Sequence, residues 1–178
     1  MTPERYQTLL RWLDARPGLK KAVIALNRWL PAIPFVSYPV LLVLLNVQWF
    51  RLMRAGSPAA LDFMQQIAQA ILVPAIVFLG GSLLRAKLNF PRPYEQAGFT
   101  PLVEKDTRGK SFPSRHALSA AVLAAVWLYF YPAAGVCMIL VALLICVLRV
   151  VAGVHYIWDV AAGALLGFAL GAAGMWLL

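Results

Sequence analysis

Apolar residues fill most of this chain in long uninterrupted runs, and polar residues gather between the runs. After residue 31 there are five such runs, each near the ~20 residues that an α-helix needs to cross a bilayer. They lie at about 33–50, 62–84, 115–131, 133–151 and 156–178. The pattern predicts an all-α integral membrane bundle of about five transmembrane helices.

The first 31 residues have a different pattern, in which basic and apolar positions alternate. The basic positions are Arg5, Arg11, Arg16, Lys20, Lys21 and Arg28. Their regular spacing favours an amphipathic helix in the headgroup region, divided near Pro17-Gly18, over a disordered basic tail. We therefore predict an interfacial segment, 1–31, followed by one transmembrane domain, 32–178.

One connection, at about 87–114, is much longer than the others and is rich in proline, glycine and charge. Connections of this length are usually functional or disordered. The short connections at 51–59 and 131–134 suit antiparallel neighbours. With five spans, the end of the second run, the start of the third, the end of the fourth and the start of the fifth share one membrane side. Most of the polar residues discussed below stand at these ends.

Composition narrows the functional classes. The chain is 62% hydrophobic and 13% charged, which excludes an ordinary soluble domain. Its formal net charge of +9 fits anionic headgroups or an anionic substrate. No nucleic-acid-binding module and no zinc-type spacing are present, and Cys137 and Cys146 are too far apart along one helix for a disulfide.

His155 and Asp159 are four positions apart. On a helix they would share a face, so that the carboxylate orients one ring nitrogen and leaves the other free to attack phosphorus. The alternative is a structural histidine–aspartate pair at a helix start. Similarly, Ser114 is an N-cap candidate whose helix start favours an anion, and His116 is placed to protonate a leaving oxygen. The alternative there is a simple cap beside an interfacial histidine.

Three arginines accompany these residues at run ends: Arg85, Arg92 and Arg149. Guanidinium groups suit phosphoryl oxygens and stabilise charge in the transition state. The alternative is that they snorkel to the interface, which is less favoured for Arg149 because it precedes His155 by only six positions.

Together these segments resemble the type 2 phosphatidic acid phosphatase superfamily, which includes membrane lipid phosphatases and, more distantly, vanadium-dependent haloperoxidases. The family pattern is Lys, six residues and Arg-Pro; then Pro-Ser-Gly-His; then Ser-Arg, five residues, His, three residues and Asp. The chain has the segments in the same order, as RAKLNFPRP (85–93), PSRH (113–116) and LRVVAGVHYIWD (148–159).

The resemblance implies a mechanism. His155 attacks phosphorus and forms a phosphohistidine, Asp159 supports it, and His116 protonates the leaving group. Water then hydrolyses the intermediate, and neither a metal nor another cofactor takes part. The oxygens are held by Arg85, Arg92, Ser114 and Arg149.

Three positions depart from the family pattern: Arg85 replaces Lys, Arg115 replaces Gly, and Leu148 replaces Ser. None of these changes touches the two histidines or the aspartate. Arg115 is a further phosphate-binding candidate, because it suits the second phosphate of a diphosphate; it suits a lipid headgroup equally well.

The compact five-span plan is most similar to bacterial undecaprenyl pyrophosphate phosphatases of the bacitracin-resistance type. The resemblance therefore implies a cell-wall enzyme that converts undecaprenyl pyrophosphate to undecaprenyl phosphate in the bacterial cytoplasmic membrane. Phosphatidylglycerol phosphate and phosphatidic acid are alternative substrates. A lipid transporter is the alternative from another class, disfavoured because binding alone needs no proton chemistry. A structural bundle would leave the polar segments unexplained.

Sidedness follows from the number of spans. Five spans put the basic N-terminal segment on the side of the site, whereas a sixth span within 18–31 would put it opposite. The basic-loop bias favours a cytoplasmic site, but basic residues in a phosphate site serve the substrate. Because the resembling diphosphatases work on the outer face, we expect an outer-face site. The sequence predicts no oligomeric state.

Overall fold

The computed structural model describes residues 2–177, which form seven α-helices joined by turns and one long loop. The helices are α1 (Pro3–Asp14), α2 (Pro17–Trp29), α3 (Ala32–Arg54), α4 (Ala59–Leu88), α5 (Arg115–Phe130), α6 (Pro132–Val151) and α7 (Ile157–Trp176). A short 3-10 turn, Pro93–Glu95, lies in the long loop. The predicted all-α membrane bundle is confirmed, and the five predicted runs correspond to α3 to α7. Residue 178 of the last run lies outside the described residues.

Four helical segments are long and apolar enough to cross a membrane: 17–54, 59–95, 132–151 and 157–176. Large apolar side chains cover their outer surfaces, where they are exposed in the protein alone. Examples are Val36 of α3, Leu83 of α4, Leu140 of α6 and Leu165 of α7. Exposed apolar surface of this extent on polytopic helices is the surface that lipid covers.

The shorter helix α5 occupies the centre of the bundle, and every residue from Ala117 to Trp127 is buried. Two glycines of α7 face α5 at close range. A Cβ at Gly163 would lie 2.6 Å from the Ser114 carbonyl oxygen, and one at Gly167 would lie 2.3 Å from the Leu118 carbonyl oxygen. The two backbones therefore approach as closely as small residues allow.

The motif-bearing helix ends lie together at one end of the bundle, as expected from five spans. The opposite end is marked by aromatic contacts between Phe63 of α4 and Phe130 of α5, and between Tyr129 of α5 and Trp176 of α7. The chain therefore alternates direction through α4, α5, α6 and α7. We call the end that carries the motifs the site end.

The N-terminal helices α1 and α2 are amphipathic and separate at Arg16-Pro17, as predicted. The backbone at Leu30 and Pro31 stays in the right-handed helical region, so α2 continues into α3 without a reversal. Residues 18–31 consequently form no separate sixth span. The Tyr6 hydroxyl donates a 3.0 Å hydrogen bond to the Val151 carbonyl, which places α1 at the site end.

Helix α4 is longer than the apolar run that predicted it, since it continues from residue 84 to Leu88. Arg85 therefore lies within the last turn of α4, and the predicted run end at residue 84 falls short of the helix end. Hydropathy fell at Arg85, but no glycine or proline breaks the helix there. The helix ends at Asn89, which takes the left-handed conformation with φ of 43° and accepts the Lys110 N–H on its side chain at 3.2 Å.

Candidate functional site

His155 and Asp159 lie beside each other in the buried site end, with 3.3 Å between His155 Nδ1 and Asp159 Oδ2. The predicted pairing is present, but the predicted shared helical face is wrong. Helix α7 begins at Ile157, so His155 precedes it and Asp159 stands in its first turn. Asp159 Oδ2 accepts the Tyr156 N–H at 3.0 Å. The carboxylate therefore folds back over the helix start and reaches His155 by this route.

Ser111, which no sequence motif marks, completes this pair. Its hydroxyl donates a short hydrogen bond to Asp159 Oδ2, and its Oγ lies 3.5 Å from His155 Nδ1. The Ser111 backbone N–H donates to the Phe90 carbonyl at 2.9 Å, which fixes the loop here. Since the aspartate and the serine surround Nδ1, Nε2 is the ring nitrogen left free for a substrate.

Ser114 stands at the N-cap position of α5, as predicted, but its hydroxyl makes no capping hydrogen bond. The side chain is completely buried, and Oγ has no hydrogen-bond partner in the described chain. Its backbone N–H instead donates to the Asp159 carbonyl at 2.9 Å. A buried hydroxyl without a partner is costly, so this group is available to a bound ligand at the start of α5.

His116 follows in the first turn of α5 and is half-buried. Electrostatic interactions connect it with Arg149, Lys105, His155 and Arg115. His116 therefore lies within electrostatic range of His155 and of several cationic side chains. Helix N–H groups and the helix dipole at this position favour an anion.

The three predicted clamp residues, Arg85, Arg92 and Arg149, are only 8%, 6% and 5% exposed. Arg85 Nη1 donates to the Pro113 carbonyl at 3.3 Å, and Arg92 Nε donates to the Gly109 carbonyl at 2.9 Å. These contacts connect two of the arginines to the long loop that leads into α5. Burial argues against the snorkelling alternative, because a snorkelling head group would reach water.

No carboxylate in residues 2–177 forms an ion pair with these three arginines. Arg149 Nε is buried without a hydrogen-bond partner. Removing a guanidinium from water without an opposite charge is strongly unfavourable. A site with three such groups, an unpartnered serine hydroxyl and a helix N-terminus has the donor set that a phosphoryl group requires.

The loop around Arg92 is held by Glu95. One carboxylate oxygen of Glu95 accepts the Arg92 N–H at 2.9 Å and the Gly109 N–H at 2.6 Å. This carboxylate binds backbone donors and leaves the Arg92 guanidinium uncompensated. The negative charge of Glu95 therefore stabilises the loop backbone and does not neutralise the arginine side chain.

The departures from the family pattern have different surroundings. Arg115 is exposed, with its guanidinium 6.0 Å from the centre of the Phe78 ring. Leu148 points into an apolar cluster with Leu30, Ala120 and Ile145, so it faces the core. Leu148 therefore contributes to apolar packing and provides no hydrogen-bond donor.

A polar recess of about 650 Å³ lies beside Arg92, whose guanidinium is 5.8 Å from the centre of the Tyr94 ring in the recess wall. It is lined by Tyr94, Glu95, Lys105, Asp106 and Arg108. Lys105 interacts electrostatically with Arg149, Arg92 and Arg85, although no motif marked it. Its position extends the cationic region beyond the three motifs.

Burial is the main cause that lowers the pKa of His155 below its ordinary value. The hydrogen bond and the charge of Asp159 oppose this, whereas the charges of Arg92 and Arg85 lower the pKa further. The imidazole is therefore neutral at physiological pH, which is the form that acts as a nucleophile.

Comparisons with known proteins identify the family and two similar structures. Residues 66–178 match the family model described as PAP2 superfamily. The crystal structure of Aquifex aeolicus LpxE is similar at 26% identity, with a TM-score of 0.54 over 74% of this chain and 85% of that chain. A PAP2-type phosphatidylglycerolphosphate phosphatase from Bacillus subtilis has 22% identity and a TM-score of 0.48, covering 97% of this chain and 89% of that one. No curated protein matches the sequence.

Proposed function

The chain belongs to the PAP2 superfamily, and we propose that it hydrolyses a lipid phosphate through a phosphohistidine intermediate on His155. Two findings support hydrolysis of a lipid phosphate: the helices form a membrane bundle, and the chain belongs to the PAP2 superfamily. The observation that carries the proposal is the buried, uncompensated cationic site around a histidine whose Nδ1 side is occupied by Asp159 and Ser111.

In the first step, His155 Nε2 attacks the terminal phosphorus, and the bond from phosphorus to the leaving oxygen breaks. His116 gives its proton to that oxygen, and Asp159 stabilises the charged imidazole. In the second step, His116 takes a proton from water as the water oxygen attacks phosphorus. The phosphorus–nitrogen bond breaks, inorganic phosphate leaves, and both histidines return to their starting states.

The phosphoryl oxygens lie among the donors of Arg85, Arg92, Arg149 and Ser114 in this proposal. Preorganised donors in a site that excludes water stabilise the charge that spreads over these oxygens in the transition state. Arginine at position 85 keeps the charge of the family lysine and adds a planar fork, which is anchored on the Pro113 carbonyl.

We propose that the reaction needs no metal ion. The single carboxylate in the three motifs, Asp159, is engaged with His155, Ser111 and Tyr156. The charge stabilisation that a metal would provide is assigned to the arginines. Activity should therefore persist after dialysis against EDTA, and its loss with recovery on adding Mg²⁺ would refute this part.

Undecaprenyl pyrophosphate is the substrate that we propose. A diphosphate carries a second phosphate beyond the reacting one, and Lys105 and Arg115 provide cationic groups outside the three clamp arginines. An apolar groove of about 530 Å³ between α4 and α7 reaches Leu84, one residue before Arg85. This groove gives the hydrocarbon chain a path beside the phosphate site.

The decisive experiment is phosphate release by purified protein from undecaprenyl pyrophosphate, compared between wild type and His155→Ala. We expect release by wild type, inhibition by vanadate, and no release by the variant. Activity retained in His155→Ala would overturn the nucleophile. Binding of the lipid without release by wild type would favour the transporter alternative.

A panel of substrates tests the choice of lipid. Phosphatidylglycerol phosphate and phosphatidic acid should be hydrolysed with lower kcat/KM than undecaprenyl pyrophosphate. A higher kcat/KM for either one would assign that phosphomonoester as the substrate and leave the mechanism intact.

We also propose that the site end faces the outside of a bacterial cytoplasmic membrane. Thr100→Cys in the long loop and Ala55→Cys at the opposite end report the two sides, in a background without Cys137 and Cys146. An impermeant thiol reagent on intact cells should label residue 100 and leave residue 55 unlabelled. The reverse result would place the site in the cytoplasm.

A further inference from the structure

Tyr6 is completely buried, although α1 is an amphipathic helix. Its ring stacks on Phe99 of the long loop, with 4.3 Å between ring centroids and 15° between ring planes. Its hydroxyl donates to the Val151 carbonyl at 3.0 Å and accepts the Leu102 N–H at 2.9 Å. We call Tyr6, Phe99, Leu102, Val151 and Gly153 the tyrosine clasp.

The clasp lies on the turn between two residues of the phosphate site. Helix α6 ends at Val151, just after Arg149, and His155 closes the turn that follows. Gly153 within this turn has φ of 75°, and a Cβ there would lie 2.5 Å from Tyr6 Oη. The left-handed backbone and the close tyrosine both require glycine here.

The same clasp also holds the long loop against the turn. Besides the hydrogen bond from Leu102 to Tyr6, the Val103 N–H donates to the Ala152 carbonyl at 3.3 Å. Burial raises the pKa of Tyr6 to about 12, so its hydroxyl keeps its proton at physiological pH. Loss of this hydroxyl would leave a backbone donor and a backbone acceptor without their partner.

We propose that Tyr6 is a positioning residue of the phosphatase site, through which α1 fixes the turn that carries His155. The inference rests on the proposed function, because His155 has a nucleophilic role only there. A helix that served only as a membrane anchor would direct its tyrosine towards lipid or headgroups. A fully buried hydroxyl with two backbone hydrogen bonds beside the site is the signature of positioning.

The matched variants are Tyr6→Phe and Tyr38→Phe. The Tyr38 hydroxyl also makes a partly buried hydrogen bond, 2.7 Å to the Ala70 carbonyl, but it joins α3 to α4 away from the site. We expect Tyr6→Phe to lower kcat for phosphate release about 5- to 50-fold with KM within about twofold, since a displaced nucleophile slows the chemical step. Tyr38→Phe should keep the wild-type kcat.

The pH profile separates positioning from a general loss of stability. The groups that act on His155 are Asp159, Arg92, Arg85, His116 and the Ser111 hydroxyl. A looser turn admits water and weakens the burial that lowers the His155 pKa. The acid limb of kcat should therefore move to higher pH in Tyr6→Phe and stay in place in Tyr38→Phe.

Hydrogen exchange provides a readout that does not depend on activity. Exchange should quicken in segments 99–104 and 151–155 of Tyr6→Phe, with little change in α5. Wild-type kcat in Tyr6→Phe, or equal losses of kcat in both variants, would overturn the inference. A wild-type protein that releases no phosphate would overturn the proposed function; in that case, unchanged exchange in these two segments of Tyr6→Phe would overturn the clasp as well.

Discussion

The backbone N–H of Ser114 donates a 2.9 Å hydrogen bond to the backbone carbonyl of Asp159, so the start of α5 is joined directly to the first turn of α7. This bond sets the distance between the His116 motif and the His155 motif. At Gly163 α7 also approaches α5 closely, since an added Cβ would lie 2.6 Å from the Ser114 carbonyl oxygen. The geometry of the site thus depends on a residue that contacts no substrate.

Gly163→Ala should consequently impair both stability and activity. The added methyl group must push two backbones apart, which costs about 1–3 kcal/mol of unfolding free energy. We expect kcat to fall about tenfold or more, because the two histidines separate. Gly18→Ala is the control, since a Cβ there meets nothing within 4 Å. Thermal unfolding and phosphate release measure both effects, and wild-type activity in Gly163→Ala would contradict the argument.

His116→Ala should slow the reaction according to the leaving group. A lipid alkoxide or a phosphate needs a proton as it leaves, so loss of the general acid should lower kcat about 10²- to 10⁴-fold. Nitrophenolate leaves without a proton, and p-nitrophenyl phosphate should lose much less activity. Equal losses with both kinds of substrate would assign His116 to binding instead of proton transfer.

Much of this architecture could be predicted from the sequence, because a span and a motif are local patterns. The runs that became α5 and α6 were placed within one or two residues of their observed ends. The end of α4 was misplaced, since hydropathy falls at Arg85 although the helix continues to Leu88. Hydropathy reports the surroundings of a residue and does not report where backbone hydrogen bonding ends.

Residues that act through distant contacts could not be predicted. Ser111 bonds to Asp159 across 48 positions, and the Tyr6 hydroxyl bonds to Val151 across 145 positions. Neither Ser111 nor Tyr6 stands at a sequence spacing from its partner that would indicate a contact or a catalytic motif. The pairing of His155 with Asp159 was predicted for an incorrect reason, because the carboxylate reaches His155 by folding back over the start of α7.

The pH dependence of kcat should report the surroundings of His155. Its pKa is lowered mainly by burial and lies below the ordinary value of about 6.5. Because attack requires the neutral ring, activity should persist below pH ~6.5 and be lost as pH falls through the lowered pKa.

Two variants test this assignment in opposite directions. Asp159→Asn removes an influence that raises the His155 pKa, so the acid limb should move to lower pH while the maximal kcat falls. Arg92→Gln removes an influence that lowers the pKa, so the limb should move to higher pH. Identical profiles in wild type and both variants would show that another group controls the acid limb.

The apolar groove between α4 and α7 makes a final prediction about the hydrocarbon chain. Gly80 lines the groove one turn before Leu84, and a Cβ there meets nothing within 4 Å, so the backbone has room for a side chain and we expect the ring of Gly80→Phe to occupy the groove. We expect KM for the long-chain substrate to rise about tenfold, since each displaced methylene contributes about 0.8 kcal/mol, and p-nitrophenyl phosphate to be hydrolysed normally. Leu79→Phe, on the 61% exposed neighbouring position outside the groove, is the control. An unchanged KM in Gly80→Phe would contradict this placement and show that the hydrocarbon chain of the substrate does not bind in the groove.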